Sequence, residues 1–188
     1  MATNPTPYAT TLDGGRIHIG ATVHPTAVLS NGAIVEVGAI VGAGVIVGIG
    51  SIIQVGAVVE AGAVIGDFAK VEAGAIVKVG AMIGYCARVE AGAVVGACAI
   101  VKGGGVIQAG ARVGDDAVIH ECASVQAGAR VGDHAIIGNS AIVQAGATVE
   151  AGGVVCDEAV VEPGAVVEAG ARTQDIKEGN DDTSNGNN

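Results

Sequence analysis

The side chains best suited to acid–base chemistry in this 188-residue sequence are its four histidines. His120 is followed directly by Glu121, and an imidazole beside a carboxylate can act as a general base. His120 is therefore the candidate catalytic residue. The sequence favours a plainer interpretation, in which His120 is an exposed residue at the edge of the fold without a chemical role.

A second group of polar residues could bind a metal ion. It contains Asp115, Asp116, Asp133 and His134, which pair at a separation of 18 residues, Asp115 with Asp133 and Asp116 with His134. Carboxylates and imidazoles are common ligands of divalent cations. The favoured interpretation is again structural, because turns readily accept polar residues. The sequence accordingly predicts no bound metal and no other cofactor.

A six-residue repeat positions all of these side chains. It runs without insertion or deletion from Asp13 to Gln174, which makes 27 units. The fifth residue of each unit is Val, Ile or Leu except at Thr173, and the third is Ala, Gly or Ser except at Val45. Because the inward third and fifth positions alternate with outward ones, each unit predicts a short strand. Glycine at the second position of every middle unit in a group of three predicts tight corners between the strands.

Three such strands make one triangular coil of 18 residues. The sequence therefore predicts an all-β protein, a single-stranded parallel β-helix (β-solenoid) of about nine coils with no inserted loops. Coils stack about 4.8 Å apart, so residues separated by 18 positions lie one above the other. We expect residues 1–12 to form an N-terminal cap, residues 13–174 the β-helix, and residues 175–188 a disordered acidic tail.

Composition and spacing exclude several classes of protein. A formal net charge of −10 argues against nucleic acid as a partner. The stretch from Val37 to Val59 is uncharged and long enough to cross a bilayer, but the six-residue pattern continues through it, so no membrane span is expected. Cys86 and Cys122 would lie two coils apart, about 9.6 Å, which is too far for a disulfide. Reduced thiols predict a cytoplasmic protein.

The repeat units carry a resemblance to a known superfamily. VEAGAV, VGAGVI, IQAGAR and VQAGAT resemble the hexapeptide repeat of left-handed parallel β-helix proteins, and the match covers most of the chain. The segment VHPTAVLSNGAIV, from Val23 to Val35, resembles the first coils of bacterial sugar-nucleotide acyltransferases. The resemblance implies the left hand of the helix.

The resemblance also sets expectations about function. Hexapeptide acyltransferases typically have a histidine base near a subunit boundary, and they bind the acyl donor with loops that leave the helix and often with a C-terminal helical domain. This sequence contains neither loops that leave the helix nor a C-terminal helical domain. The γ-class carbonic anhydrases of this fold bind Zn²⁺ through three histidines at a trimer interface, and their histidine spacing is absent here.

One face of the predicted prism is apolar along most of its length. The outward fourth residues of the third strand in each coil are apolar eight times in succession. These residues, which we call the third-face stripe, are Val28, Ile46, Val64, Met82, Ile100, Val118, Ile136 and Val154. A long exposed apolar stripe predicts a surface on which copies of the chain assemble.

These observations lead to a prediction of function. We expect a structural or scaffolding β-solenoid that associates with itself as a trimer, filament or sheet and has no catalytic site of its own, because no coil is interrupted to make a pocket. The alternative is an enzyme with its site between subunits, either a trimeric hexapeptide-repeat acyltransferase or a metal enzyme like the γ-carbonic anhydrases.

Overall fold

The computed structural model describes residues 8–11 and 13–173, and this part of the chain consists of short strands and turns without a helix. In chain order the strands are β1 (Tyr8–Thr10), β2 (Arg16–His18), β3 (Thr22–Val23), β4 (Val28–Leu29), β5 (Ile34–Val35), β6 (Ile40–Val41), β7 (Ile46–Val47), β8 (Ile52–Ile53), β9 (Val58–Val59), β10 (Val64–Ile65), β11 (Lys70–Val71), β12 (Ile76–Val77), β13 (Met82–Ile83), β14 (Arg88–Val89), β15 (Val94–Val95), β16 (Ile100–Val101), β17 (Val106–Ile107), β18 (Arg112–Val113), β19 (Val118–Ile119), β20 (Ser124–Val125), β21 (Arg130–Val131), β22 (Ile136–Ile137), β23 (Ile142–Val143), β24 (Thr148–Val149), β25 (Val154–Val155), β26 (Val160–Val161) and β27 (Val166–Val167).

From β2 onward, every third strand belongs to the same sheet and pairs in parallel, which gives the prism three faces. The first sheet has ten strands and runs from β1 and β2 through β5 to β26, the second has nine from β3 to β27, and the third has eight from β4 to β25. Strands pair with the strand 18 residues later, as Val64 does with Met82. Arg172 extends the third sheet by a single bridge to Val154. The predicted β-solenoid of uninterrupted triangular coils is confirmed.

The interior is a stack of small and β-branched side chains. Third-position alanines and fifth-position valines and isoleucines are buried along the prism, and Ala93 and Val95 have no exposed surface. Ser51 is the buried polar residue of the described chain, and its hydroxyl donates a hydrogen bond to the carbonyl oxygen of Gly66 at 2.7 Å. The small side chains at the third position therefore allow narrow corners, and the core packs closely because the corners are narrow.

The corners depend on a left-handed backbone at the second position of the unit. Gly110 has φ of 68°, and no atom lies within 4 Å of a Cβ added to it. Glycine is therefore favoured there by the backbone conformation and not by a lack of space. Eight other corners place a larger residue in this conformation, which costs an L residue about 1 kcal/mol or more. They are Phe68, Cys86, Cys98, Asp116, Cys122, His134, Ser140 and Glu158.

The N-terminal strand differs from the others in direction. β1 pairs antiparallel with β2, with Tyr8 opposite His18, and the guanidinium of Arg16 lies 4.5 Å from the centre of the Tyr8 ring. This strand covers the outer edge of β2 in the first coil, where an unpaired ladder would otherwise face solvent. Residues 1–7 and 12 of the expected cap, and the expected tail at 175–188, lie outside the described residues.

The uncharged stretch from Val37 to Val59, long enough to cross a bilayer, forms strands of all three sheets. Within residues 8–11 and 13–173 there is no helix with the length and hydropathy needed to cross a bilayer.

Candidate functional site

His120 lies at the corner between the third and first sheets, directly after β19. Its backbone N–H donates to the carbonyl oxygen of Ile137 in the next coil, which fixes the start of the side chain. Its Nδ1 lies 3.2 Å from the Nζ of Lys102, the residue one coil earlier in the same column. Glu121 completes the group, with one carboxylate oxygen 3.9 Å from His120 Nδ1 and the other 3.9 Å from Lys102 Nζ. The structure thus joins the candidate base to a carboxylate and an ammonium group.

The contact with Lys102 determines which ring nitrogen of His120 carries the hydrogen. An ammonium group only donates, so Nδ1 must accept when Lys102 is bound to it. The hydrogen of the neutral ring then sits on Nε2. For Nε2 to accept a proton, Nδ1 must instead carry the hydrogen and face the carboxylate of Glu121. Lys102 is 37% exposed at its side chain, so it has room to move.

A depression of about 380 Å³ opens beside His120 on the side of the later coils. Gly138 forms its floor one coil above His120, and a Cβ there would lie 2.5 Å from the backbone nitrogen of Asp157, so no larger residue fits. Ile136 and Val154 of the third-face stripe form one wall. The remaining lining residues are Val155, Cys156, Asp157 and Arg172.

The charged residues of this depression differ in their partners. Asp157 accepts hydrogen bonds from the backbone N–H of Asn139 at 2.7 Å and from its side-chain amide at 3.2 Å. These two bonds, with a smaller effect of nearby His120, lower the pKa of Asp157 below its ordinary value. Arg172 is exposed and forms no ion pair with any residue that the structure describes. An arginine without an ion-pair partner can bind an anionic group of a substrate.

The candidate metal residues lie at a different corner, between the second and third sheets. Asp115 accepts a hydrogen bond from the backbone N–H of Ala97 at 2.8 Å, which is the main reason that its pKa is lowered, and it lies 3.4 Å from Lys78 Nζ. The carboxylate of Asp133 accepts the N–H of Asp115 at 2.9 Å. These carboxylates therefore brace successive coils.

Asp116 and His134 are the next residues at that corner, and both have positive φ. His134 lies one coil above Asp116. The N–H of His134 donates to the carbonyl oxygen of Asp115, which fixes its backbone. Across the residues that the structure describes, no three His, Cys, Asp or Glu side chains come close enough together to hold a metal ion.

The third-face stripe is exposed in the single chain. Val28, Ile46, Met82 and Ile136 are between 39% and 49% exposed, and the other four members are half-buried. Apolar outward residues also occur on the second sheet, where Ile40 is 47% exposed. The third sheet is distinguished by an unbroken run of eight strands without a charge.

Sequence reasoning did not single out Lys102, Cys156 or Arg172 as members of a site. The signal was present in the repeat, because Lys102, His120, Gly138 and Cys156 are successive residues of one column 18 positions apart. Gly138 lies between His120 and Cys156 in this column, and all three residues line the depression. Alignment of the repeat by columns places Lys102, His120 and Cys156 together, but it does not include Arg172.

Comparison with known proteins finds no matching family model and no matching curated protein. Among solved structures, the UDP-N-acetylglucosamine acyltransferase from Bacteroides fragilis matches with a TM-score of 0.51 and 16% identity, over 69% of this chain and 65% of that enzyme. The UDP-N-acetylglucosamine acyltransferase from Campylobacter jejuni matches with a TM-score of 0.42 and 19% identity, over 81% of this chain and 71% of that enzyme. A hexapeptide transferase family protein from Anaplasma phagocytophilum has a TM-score of 0.42 and 20% identity, over 81% of this chain and 75% of that one.

The likeness to the Bacteroides fragilis enzyme shows the fold of this chain. It is the left-handed parallel β-helix of the hexapeptide-repeat acyltransferases, as the sequence resemblance implied. This chain spans about two thirds of the length of that enzyme. At this identity the likeness establishes the architecture, and the activity has to be argued from the side chains.

The prediction of a structural scaffold without a catalytic site is contradicted by these comparisons. The Bacteroides fragilis structure is that of an acyltransferase, which favours the alternative interpretation, a hexapeptide-repeat acyltransferase. The sequence argument failed because it required a loop to interrupt the prism before a pocket could form. In the structure, a depression lies beside His120 with Gly138 in its lining, although no loop interrupts the coils there.

Proposed function

We propose that the protein is an acyltransferase of the hexapeptide-repeat type, which acts as a trimer and transfers an acyl group from a thioester to an amino or hydroxyl group of a sugar nucleotide. The observation that carries the proposal is the depression beside His120. Its lining includes the imidazole of His120 and the guanidinium of Arg172, which forms no ion pair with a described residue. The Glu121 carboxylate lies outside this lining, 3.9 Å from His120 Nδ1. The acceptor and donor classes are those named for the matching enzymes, which include one bound to coenzyme A and GDP-perosamine.

In the proposed reaction His120 is the general base. Glu121 accepts the hydrogen of Nδ1, which leaves the Nε2 lone pair free to take the proton of the acceptor N–H or O–H. The acceptor atom attacks the thioester carbonyl carbon, a tetrahedral intermediate forms, and the C–S bond breaks. The proton on Nε2 then passes to the departing thiolate, so the ring returns to its starting state. Arg172 would bind an anionic group of a substrate at the opposite side of the depression.

The third-face stripe supports a site completed by a second subunit. Ile136 and Val154 belong both to the stripe and to the wall of the depression. A copy of the chain packed on the stripe would therefore cover the depression and exclude water from it, which strengthens its electrostatic interactions. Three copies around an axis parallel to the prism would bury all three stripes and create three equivalent sites.

The cysteines fit a reducing location for this enzyme. All four are free, and Cys86, Cys98 and Cys122 are exposed. Exposed thiols persist in the reduced form in the cytoplasm, where disulfides are rare. The proposal therefore includes a cytoplasmic location.

The test is a turnover assay with acetyl-coenzyme A as donor and a panel of sugar nucleotides as acceptors, in which release of free thiol is measured. We expect His120→Asn to lower kcat by about 10²- to 10⁴-fold, the usual contribution of a general base. His134→Asn is the matched control, because His134 lies at a different corner, and it should leave kcat unchanged. A wild-type protein without turnover, or equal losses in the two variants, would contradict the proposal.

A further inference from the structure

A pair of arginines on the second sheet lies outside the site described above. Arg112 in β18 and Arg130 in β21 are directly opposite each other in adjacent parallel strands. Both side chains are exposed, and the strand spacing places their backbones about 4.8 Å apart. Like charges directly opposite one another destabilise a sheet. The pair therefore needs a compensating charge.

No residue in the described part of the chain supplies that charge through a direct ion pair. Neither arginine forms an ion pair there, and the ladder places Val94 below the pair and Thr148 above it. On the first sheet, a similar pair of positive charges has an acidic residue nearby. There Arg88 lies opposite Lys70, and Glu72 lies 3.9 Å from Arg88.

The acidic residues nearest to the arginine pair are already engaged. Asp115, Asp133 and Glu150 line the same groove as the two arginines. Asp115 binds Lys78 and a backbone N–H, Asp133 accepts the N–H of Asp115, and Glu150 accepts the N–H of Ala169 at 3.2 Å. The two guanidinium groups thus have no ion-pair partner among the described residues, and their hydrogen-bond donors are free of direct contacts with these carboxylates.

The groove beside the pair has room for a ligand. Its volume is about 450 Å³, and Lys78 and Thr148 also line it. Gly114 and Gly132 form the floor, where a Cβ would meet the backbone of the next coil at 2.5 Å and 2.6 Å respectively. The groove is therefore a fixed feature of the coil packing, and its cationic side faces solvent.

We propose that Arg112 and Arg130 form a binding site for a phosphate-bearing small molecule, in which each guanidinium donates to oxygens of one phosphate or diphosphate group. Two guanidiniums one strand apart suit a diphosphate, whose two phosphorus centres can each face one arginine. Lys78 and Thr148 lie where they can contact the rest of the ligand. The site is on the second sheet, so it does not depend on the proposed acyl transfer at His120.

Isothermal titration calorimetry with inorganic pyrophosphate, at low salt, tests this site directly. We expect saturable binding to the wild type, and a loss of affinity of about tenfold or more in Arg112→Gln with Arg130→Gln, because charge-assisted hydrogen bonds are removed. Arg112→Lys with Arg130→Lys should retain an intermediate affinity, since lysine keeps the charge but loses the bidentate geometry.

The matched control removes the other like-charge pair with Lys70→Gln and Arg88→Gln, and it should leave pyrophosphate affinity within about twofold of the wild type. Circular dichroism verifies that each variant is folded. The proposal is overturned if the wild type shows no saturable binding, if the double glutamine variant binds as tightly as the wild type, or if the control loses as much affinity as that variant.

Discussion

Four aspartates that begin a repeat unit share one role in the stack of coils. Asp67, Asp115, Asp133 and Asp157 each accept the backbone N–H of the residue 18 positions earlier, at 2.7 to 2.9 Å. Each carboxylate satisfies a corner N–H that the strand ladder does not reach. The same arrangement directs the bonded oxygens of two candidate metal residues, Asp115 and Asp133, towards the preceding coil.

Asp157 allows the contribution of such a brace to be measured against pH. Its pKa is lowered from 3.8, mainly by the backbone N–H of Asn139, so folding favours the charged carboxylate. Its contribution to stability is complete above that ordinary value and disappears as the pH falls through the lower pKa of the folded state. We expect Asp157→Asn to lower the midpoint of thermal unfolding at pH 7, and the difference from the wild type to shrink towards pH 2. A difference that stays constant across this range would show that the charge of Asp157 does not stabilise the fold.

Each strand of the solenoid has only two or three residues, so its stability comes from the ladder and the core. The sequence predicts these strands because inward and outward positions can be read from side-chain type alone. The last repeat unit is the exception, since Arg172 makes only a single bridge to Val154. Its inward position holds Thr173 in place of Val or Ile, which removes apolar burial from the final strand.

The same reading locates His120 at a corner but does not predict its partners. Lys102 and Glu121 are long, exposed side chains, and their conformations depend on the surrounding surface rather than on the repeat. The depression is not predicted either, because its lining comes from several successive coils and depends on how their side chains pack. A periodic sequence thus predicts the backbone well and the local chemistry poorly.

Two substitutions in the second sheet, one in β15 and one in β12, test which residues point into the core and which point outward. Val95 has no exposed surface, so Val95→Asp would bury a charge without a partner and should cost several kcal/mol. Ile76→Asp is the control, because Ile76 is an outward residue one coil earlier in the same sheet. Its cost should be much smaller. Urea unfolding measures both, and equal free energies of unfolding for the two variants would contradict the assigned register.

At the scale of the whole molecule, the prism has one face that differs from the other two. The first and second sheets carry outward arginines, whereas the third presents eight apolar residues before Arg172. An exposed apolar stripe of this length is unusual in a monomer. Because the stripe continues into the depression beside His120, assembly and activity are linked in our account.

We expect copies of the chain to meet through the third-face stripe, and we would measure this by sedimentation equilibrium of Ile46→Asp with Ile100→Asp. The wild type should sediment as a trimer, and the double variant as a folded monomer, because charges on the stripe cannot be buried without a partner. Ile40→Asp with Val94→Asp introduces the same charges at the same spacing on the second sheet, and it should remain a trimer. A stripe variant that keeps the mass of the wild-type oligomer would contradict the account.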